Sequence, residues 1–313
     1  MKKRWLITCS IVIWFVAFGL ILTGESVIDG KYFTTSQTAP VPMDSLQQVE
    51  AISSDPHKRL LMESLVEAQW SDEELDMVRP ILADPRAVFY PQVLEKNATH
   101  VESHAQYEQF LTPKSVKRSF VFLMEQKRLL NDSDSLYGVP PEIITAILRI
   151  ESNFGQWHGH RSVFNVFWSL ALGEKYYVLN EVGLTEPEQV QRLRKKAKWA
   201  RRELRDFIHT IDHIGGHPLE LTGSWAGAFG LSQFIPSSYR AYGRDGNDDQ
   251  IIDLYNVADA TASIGFYLQK NGWRTNSTYE RRRKAIITYN HSTPYAECIL
   301  TLAESLVERQ QHN

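Results

Sequence analysis

One acidic residue of this chain lies where its type is unexpected. Residues 140–155 begin with two prolines and end in Asn-Phe-Gly, which predicts a single helix between those signals. At about 100° per residue its apolar side chains form one face that also contains Glu151, whereas Thr145 and Arg149 lie on the opposite, polar face. Burial raises the pKa of a carboxyl group, and a general acid needs a raised pKa at neutral pH. Glu151 is therefore a candidate catalytic acid; the alternative is a helix-end Glu that reaches solvent or pairs with a buried Arg.

A second segment combines small residues with groups that suit a sugar. Residues 223–239 read GSWAGAFGLSQFIPSSY, and three glycines let backbone approach a ligand closely. The amide of Gln233 can donate to and accept from hydroxyl and acetamide groups, while Phe234 and Tyr239 offer ring faces. A helix is predicted to begin near Pro236. Taken alone, the segment fits a tight turn packed on the core equally well.

A third feature, the pair Tyr289 and Asn290, follows an apolar helical stretch and is weak evidence by itself. Together, the Glu-Ser-x-x-Gly string at Glu151, the loop before Pro236 and this pair resemble the lytic murein transglycosylase B family, which is family 3 of the lytic transglycosylases within the lysozyme-like superfamily. The likeness extends upstream through residues 107–113 and 137–142 and covers roughly residues 46–306. The string Gly-Ala-x-Gly-x-x-Gln-Phe-x-Pro-Ser-Ser is its most specific part.

The resemblance implies a mainly α fold, in which a lysozyme-like catalytic domain carries an attached N-terminal helical domain. It also implies cleavage of the β-1,4 bond between N-acetylmuramic acid (MurNAc) and N-acetylglucosamine (GlcNAc) in peptidoglycan. Members of this family cleave without water and leave a 1,6-anhydroMurNAc end. The position that matches their catalytic acid and base is Glu151, and those that match their glycan contacts are Ser224, Gln233, Phe234 and Tyr289, with Asn290 beside them.

A single carboxyl group is sufficient for this chemistry, although hydrolytic glycosidases normally use two. Protonated Glu151 donates to the leaving glycosidic oxygen while the acetamide oxygen of the substrate stabilises the positive charge at C1. Ionised Glu151 then accepts the proton of the C6 hydroxyl as that oxygen attacks C1. No cofactor is required. A muramidase that hydrolyses the same bond, and a noncatalytic peptidoglycan-binding scaffold, are the alternatives.

Residues 244–259 contain a candidate structural Ca²⁺ loop. Positions 1, 3, 5 and 7 of an EF-hand loop correspond to Asp245, Asn247, Asp249 and the backbone carbonyl of Ile251. The loop departs from that pattern at position 6, where Gln250 replaces Gly, and at position 12, where the sequence has Asn256. In an elongated loop Asp259 would be the closing carboxylate. The alternative is a solvated acidic turn.

The helical periodicity extends over most of the chain and predicts the elements that must position these groups. We assign residues 1–24 to a signal-anchor or signal peptide and 25–44 to a linker. A helical domain is predicted over 45–138 and a lysozyme-like domain over 139–313. A charged helical insertion near 173–215 has no counterpart that we can place in the family. Within it, residues 188–211 are rich in Arg and Lys, as is the shorter run 281–284; each is either a solvated helix face or a contact with anionic polymer or lipid head groups.

The composition is that of an ordinary globular protein, with 313 residues, a net charge of −3, 43% hydrophobic and 23% charged residues. This charge balance does not indicate a nucleic-acid partner, and two cysteines exclude a disulfide-rich scaffold. Residues 2–4 are basic and precede an apolar run over 5–22, so we expect export to the periplasm with an inner-membrane anchor; cleavage of a signal peptide is the alternative. Cys298 is expected to be buried and inert. Expected partners are peptidoglycan strands and cell-wall synthesis or secretion machinery.

Overall fold

A computed structural model describes residues 45–100, 107–214 and 216–312 of the chain. The predicted anchor or signal segment (1–24) and linker (25–44) lie outside these residues. Within them, no helix combines the length and apolar character needed to cross a membrane. The described chain is mainly α, in agreement with the prediction.

The helices before residue 138 begin at residues that the sequence marks clearly. Asp55 caps the second helix, a capping box formed by Ser71 and Glu74 starts the third, and Thr112 caps the fifth ahead of Pro113. Gly138 ends the sixth in the left-handed conformation. The helices are α1 (Ser45–Ser54), α2 (Pro56–Glu67), α3 (Asp72–Ala83), α4 (Pro91–Thr99), α5 (Pro113–Glu125) and α6 (Lys127–Tyr137), with a 3₁₀ turn at Glu108–Leu111.

The second part of the chain contains the predicted catalytic helix, α7 (Pro141–Ser152). Its start at the prolines and its end at Asn153 agree with the sequence prediction. The longest helix, α10, falls in the charged stretch and has 22 residues. The remaining helices are α8 (Val163–Ala171), α9 (Tyr176–Glu181), α10 (Pro187–Ile208), α11 (Ile211–Ile214), α12 (Pro236–Tyr242), α13 (Val257–Lys270), α14 (Tyr279–Tyr289) and α15 (Thr293–Gln311).

A small antiparallel sheet of two strands contacts α8. Strand β1 (Arg161–Ser162) pairs with β2 (Thr222–Gly223), so that Arg161 is opposite Gly223. Isolated bridges from Gly223 to Phe229 and from Phe229 to Phe234 continue the pairing into the glycine-rich loop. The loop is therefore attached to the sheet and is not a free turn.

One continuous hydrophobic core extends from Ile52 to Leu306. Helix α7 runs through it and packs on α5, α6 and α15, while α8 packs on α10. Every residue of α7 from Ile143 to Ser152 is buried. The expectation of a polar, outward face on α7 is therefore wrong: Thr145 and Arg149 are buried too, because α5 and α15 cover the side that the sequence pattern leaves to solvent.

Candidate active site

Glu151 lies in the last turn of α7 and its side chain is buried, with 2% of the residue exposed. Removal from water disfavours the carboxylate and raises the pKa of Glu151 to about 8. Among the described residues, no other carboxyl group contributes to this shift. At neutral pH the group is therefore protonated and can donate a proton.

The hydroxyl of Tyr295 donates a hydrogen bond of 2.6 Å to Oε1 of Glu151. Tyr295 is in the first turn of α15 and is itself buried, and its ring is stacked at 6.4 Å from that of Tyr289. This hydrogen bond lowers the pKa of Glu151, against the larger effect of burial. Tyr295 was not predicted as a site residue, because it contacts Glu151 from 144 positions away and no local motif marks it.

Three consecutive residues with positive φ angles follow α7. Asn153, Phe154 and Gly155 all have positive φ angles, of 52°, 60° and 84°. Asn153 tolerates this conformation and Gly favours it, but a Phe in it is uncommon and strained. The ring of Phe154 stacks on Phe122 at 4.1 Å, a contact that favours the strained conformation.

Arg149 fixes this turn from within the core. Its Nη1 donates to Oδ1 of Asn153 at 2.6 Å and its Nε donates to Oγ of Ser115 at 3.2 Å. The guanidinium lies 5.1 Å from the ring centre of Phe110 and 5.7 Å from that of Trp157. Burial lowers the pKa of Arg149 to about 10, which leaves it charged at neutral pH.

The glycine-rich loop places Gln233 and Ser224 in fixed conformations. Gln233 has a positive φ of 50° and is buried, and its Nε2 donates to the carbonyl of Gly230 at 2.7 Å. Oγ of Ser224 accepts the backbone N–H groups of Ala226 and Ala228. At Gly227, with φ of 84°, a Cβ atom would meet the ring of Phe167 at 2.3 Å, so only glycine fits.

Phe234 and Tyr289 lie in one aromatic cluster, with ring centres 5.7 Å apart. Both are buried, and Tyr289 donates to the carbonyl of Ser232 at 2.5 Å, which ties α14 to the loop. The cluster continues through Tyr295 to Glu151. The structure therefore connects four predicted positions (Glu151, Gln233 through its neighbour Ser232, Phe234 and Tyr289).

Asn290 caps the end of α14 and is 2% exposed. Its Oδ1 is buried and has no hydrogen-bond partner in the described part of the protein. An orphaned buried acceptor is costly, so this oxygen is a candidate for a donor supplied by a ligand.

A second buried carboxyl group, Glu203 of α10, supports the loop from behind. Its oxygens accept the backbone N–H of Ser237 at 2.9 Å and the Ser237 hydroxyl at 3.0 Å. Burial raises the pKa of Glu203 to about 7. Because both oxygens are engaged at the start of α12, Glu203 has a structural role, and the sequence analysis did not identify it.

The acidic loop, residues 245–259, matches the EF-hand pattern in the backbone conformation of one position. Gln250 adopts a φ of 74°, the conformation that Gly supplies at position 6. Asp245 accepts the backbone N–H groups of Asn247, Asp249 and Gln250. Buried Asp259 accepts those of Gly246 and Asp253. Burial, followed by the charges of Asp245 and Asp249, raises the pKa of Asp259. Across the described residues, however, no three Asp, Glu, His or Cys side chains are grouped so as to hold a metal.

The transglycosylase SLT domain model matches residues 58–285, which is most of the chain. The protein belongs to this family. It is 31% identical over 166 residues to the membrane-bound lytic murein transglycosylase B of Escherichia coli K12; the match covers 53% of this chain and 41% of that protein. The chain thus aligns with less than half the length of this curated relative.

Solved structures of family members show the same fold. The E. coli lytic transglycosylase Slt35 in complex with calcium has a TM-score of 0.64 at 22% identity, covering 82% of this chain and 95% of that one. SltB3 of Pseudomonas aeruginosa in complex with NAG-anhNAM-pentapeptide has a TM-score of 0.63 at 19% identity, covering 79% and 78%. The predicted lysozyme-like fold of the family is confirmed.

Cys298, predicted to be a buried thiol, is buried in α15. Burial raises its pKa to about 12, so the thiolate that reacts in catalysis is scarce at neutral pH. This agrees with an inert role.

Proposed function

We propose that this protein is a lytic murein transglycosylase that cleaves the β-1,4 MurNAc–GlcNAc bond of peptidoglycan and leaves 1,6-anhydroMurNAc ends. The observation that carries the proposal is the buried Glu151 with a pKa of about 8. Glu151 lies in the last turn of α7, and the chain belongs to the transglycosylase SLT domain family. The relative crystallised with NAG-anhNAM-pentapeptide supports the substrate class.

In this mechanism Glu151 acts twice. Its proton goes to the glycosidic oxygen, the C1–O bond breaks, and the GlcNAc portion leaves as an alcohol. The acetamide oxygen of MurNAc stabilises C1, and the C6 hydroxyl then attacks C1 while its proton returns to Glu151. The side chain ends the cycle protonated, as it began, and no water is consumed.

A single carboxyl group fits the surroundings of Glu151. Two-carboxylate glycosidases place the second group about 5–10 Å away, where it would affect the pKa of the first. Burial raises the pKa of Glu151 and the Tyr295 hydroxyl lowers it, and no second carboxyl group among the described residues contributes. This supports an attack by the substrate's own hydroxyl over activation of water.

We propose that Ser224, Gln233 and Asn290 contact the glycan directly and that Phe234 and Tyr289 contribute to glycan binding indirectly, by holding the loop. Asn290 has the clearest polar role, because its buried Oδ1 can accept a donor from the acetamide or a hydroxyl. Phe234 and Tyr289 are buried behind the loop, and they support the site as packed aromatic rings that fix Ser232 and Gln233.

Mass spectrometry of fragments released from purified peptidoglycan tests the proposal. Wild-type protein should release fragments with anhydroMurNAc ends, and Glu151→Gln should release none while it still folds and binds sacculi. Glu125→Gln, at an exposed Glu of α5, is the matched control and should be fully active. Reducing MurNAc ends would assign a muramidase, and equal release by wild type and Glu151→Gln would refute the role of Glu151.

We also propose a structural Ca²⁺ ion in the acidic loop, held by Asp245, Asn247, Asp249, the carbonyl of Ile251 and Asp259. The proposal is supported by Asp259, whose pKa is raised by burial and by the charges of Asp245 and Asp249, which a divalent cation would offset, and by the positive φ of Gln250 at position 6. Because these side chains are not grouped as a metal site among the described residues, binding would have to draw them together. The calcium complex of Slt35 supports the class of ion. Added Ca²⁺ should raise the melting temperature of the wild type but not of Asp245→Asn/Asp249→Asn; equal melting with Ca²⁺ and with a chelator would contradict this.

We place the protein in the periplasm, with the inner membrane reached through residues 5–22, and retain cleavage of a signal peptide as the alternative. The membrane-bound relative in E. coli supports an association with a membrane. We likewise propose the division into a helical domain (45–138) and a lysozyme-like domain (139–313), and contact with cell-wall synthesis or secretion machinery. Fractionation of cells, with N-terminal sequencing of the recovered chain, distinguishes an anchored from a cleaved protein.

A further inference from the structure

The solvent-facing side of α10 carries four cations without a protein partner. Arg194, Lys195, Lys198 and Arg202 are all exposed and, at about 100° per residue, lie within one face roughly 100° wide. None of the four makes an ion pair or hydrogen bond with the described residues. We call this set the basic face.

Two other arginines of the same helix differ from the basic face, because they are paired. Arg201 contacts Oε1 of Glu174 at 2.6 Å, and Arg205 contacts Oε1 of Glu74 at 2.9 Å. The acidic residues beside α10 are thus used to fix the helix in the fold. Among the described residues, none pairs with the cations of the basic face, which are exposed and can attract an external anion.

Two exposed aromatic residues closely follow Glu174, the residue that pairs with Arg201 of α10. The Glu174–Arg201 ion pair brings the start of α9 to the edge of α10, and α9 begins with Tyr176 and Tyr177. These tyrosines are 79% and 61% exposed, and Tyr176 is the most exposed of the large hydrophobic residues in the described part of the chain. Tyrosine prefers the boundary between water and lipid, because its ring is apolar and its hydroxyl polar.

The basic face points away from the candidate active site. Glu203, which hydrogen-bonds Ser237 of the site loop, lies roughly 130° around α10 from the centre of the basic face and roughly 80–180° from its four members. A surface bound to the basic face would therefore leave the glycine-rich loop accessible from the other side.

We propose that the basic face, with Tyr176 and Tyr177, docks on an anionic phospholipid bilayer. An anionic head-group layer attracts cations and also favours tyrosine side chains at its boundary with water. Stem-peptide carboxylates would bind the cations but would give the two exposed tyrosines no role. The sequence also places the predicted membrane segment, residues 5–22, only 22 residues (23–44) before α1. Docking would orient the active site towards the cell wall.

Footprinting of the full-length protein tests the proposal without reference to its activity. The protein is incubated with vesicles of phosphatidylcholine, with or without phosphatidylglycerol, and treated with an acetylating reagent or with hydroxyl radicals. We expect acetylation of Lys195 and Lys198, and oxidation of Tyr176 and Tyr177, to slow about threefold or more only when the vesicles contain phosphatidylglycerol. High salt should restore the original rates. Lys114, an exposed residue of α5, should be acetylated at the same rate with either kind of vesicle.

A pair of charge-matched variants separates docking from nonspecific attraction. In Lys195→Glu/Lys198→Glu the protection of Tyr176 and Tyr177 should vanish, whereas Lys114→Glu/Lys117→Glu, with the same change in net charge on α5, should retain it. Unchanged labelling with phosphatidylglycerol vesicles would overturn the proposal. So would protection by purified peptidoglycan and not by lipid, which would assign the basic face to the wall polymer.

Discussion

The hydroxyl of Tyr295 lies 2.6 Å from Oε1 of Glu151 and is its hydrogen-bond donor. The two residues meet from the start of α15 and the end of α7, and both are buried. The contact has opposite effects on the two duties of Glu151. A donor stabilises the carboxylate, which favours release of the proton to the leaving group and weakens the base that must take a proton back.

Replacement of Tyr295 by Phe should therefore alter the pH dependence as well as the rate. Loss of the hydrogen bond removes the effect that lowers the pKa of Glu151, so the alkaline limb of kcat/KM, which reports the free enzyme, should move from about 8 to higher pH. We expect kcat to fall about tenfold at the optimum, because the carboxyl group also loses its orientation. Rates of anhydro-product release across pH measure both effects. An unchanged alkaline limb in Tyr295→Phe would show that Tyr295 does not affect the acid.

Glu151 should also destabilise the fold at neutral and alkaline pH. Its pKa is about 8 in the folded state against 4.5 for the free group, so between these values the folded state retains a proton that the unfolded state loses. Stability consequently falls as pH rises through this window. Glu151→Gln should raise the melting temperature by several degrees at pH 8 and have little effect at pH 4. The control Glu125→Gln should show no such difference between the two pH values.

Arg149 should contribute to stability through the turn after the catalytic helix. Arg149→Met would leave Oδ1 of Asn153 and Oγ of Ser115 without their buried donor, at a cost of about 1–3 kcal/mol. Arg128→Met, at an exposed Arg of α6, should change stability by less than about 0.5 kcal/mol. Urea unfolding of both variants measures the difference in the free energy of unfolding. Equal midpoints would mean that the core contacts of Arg149 add no net stability.

Two glycines with similar backbone angles should differ sharply in tolerance. Gly227→Ala places a Cβ atom against the ring of Phe167 at a φ of 84° and should destabilise the site loop by about 2–4 kcal/mol. Gly183, with a φ of 70°, has no atom within 4 Å of the added Cβ, so Gly183→Ala should cost only about 1 kcal/mol of backbone strain. Thermal melting and product release compare the two; similar losses would show that Phe167 yields easily.

The sequence predicted those parts of the site that depend on local signals. Prolines and a left-handed Asn mark both ends of α7, and the apolar periodicity places Glu151 in its buried face. The glycine-rich string identified its own loop because its chemistry is contained in consecutive residues. Family membership and the helical class followed from these strings.

Contacts between distant segments could not be predicted in the same way. Tyr295 and Glu203 act through partners 144 and 34 positions away, and neither distance leaves a periodic signal. The burial of Arg149 was missed for a related reason. Helix α7 packs on α5, α6 and α15, and Arg149 finds its hydrogen-bond partner inside the protein. Its sequence pattern is therefore the same as that of a helix whose polar side faces solvent.

The strained turn at Asn153 and Phe154 has a consequence for engineering. Each such residue stores on the order of 1–3 kcal/mol, and these two directly follow the catalytic helix. Heat-resistant variants selected without regard to turnover should accumulate substitutions here, because relaxation of this backbone increases folding stability. The same changes would displace Glu151, so thermotolerance gained at this corner should be accompanied by slower cleavage.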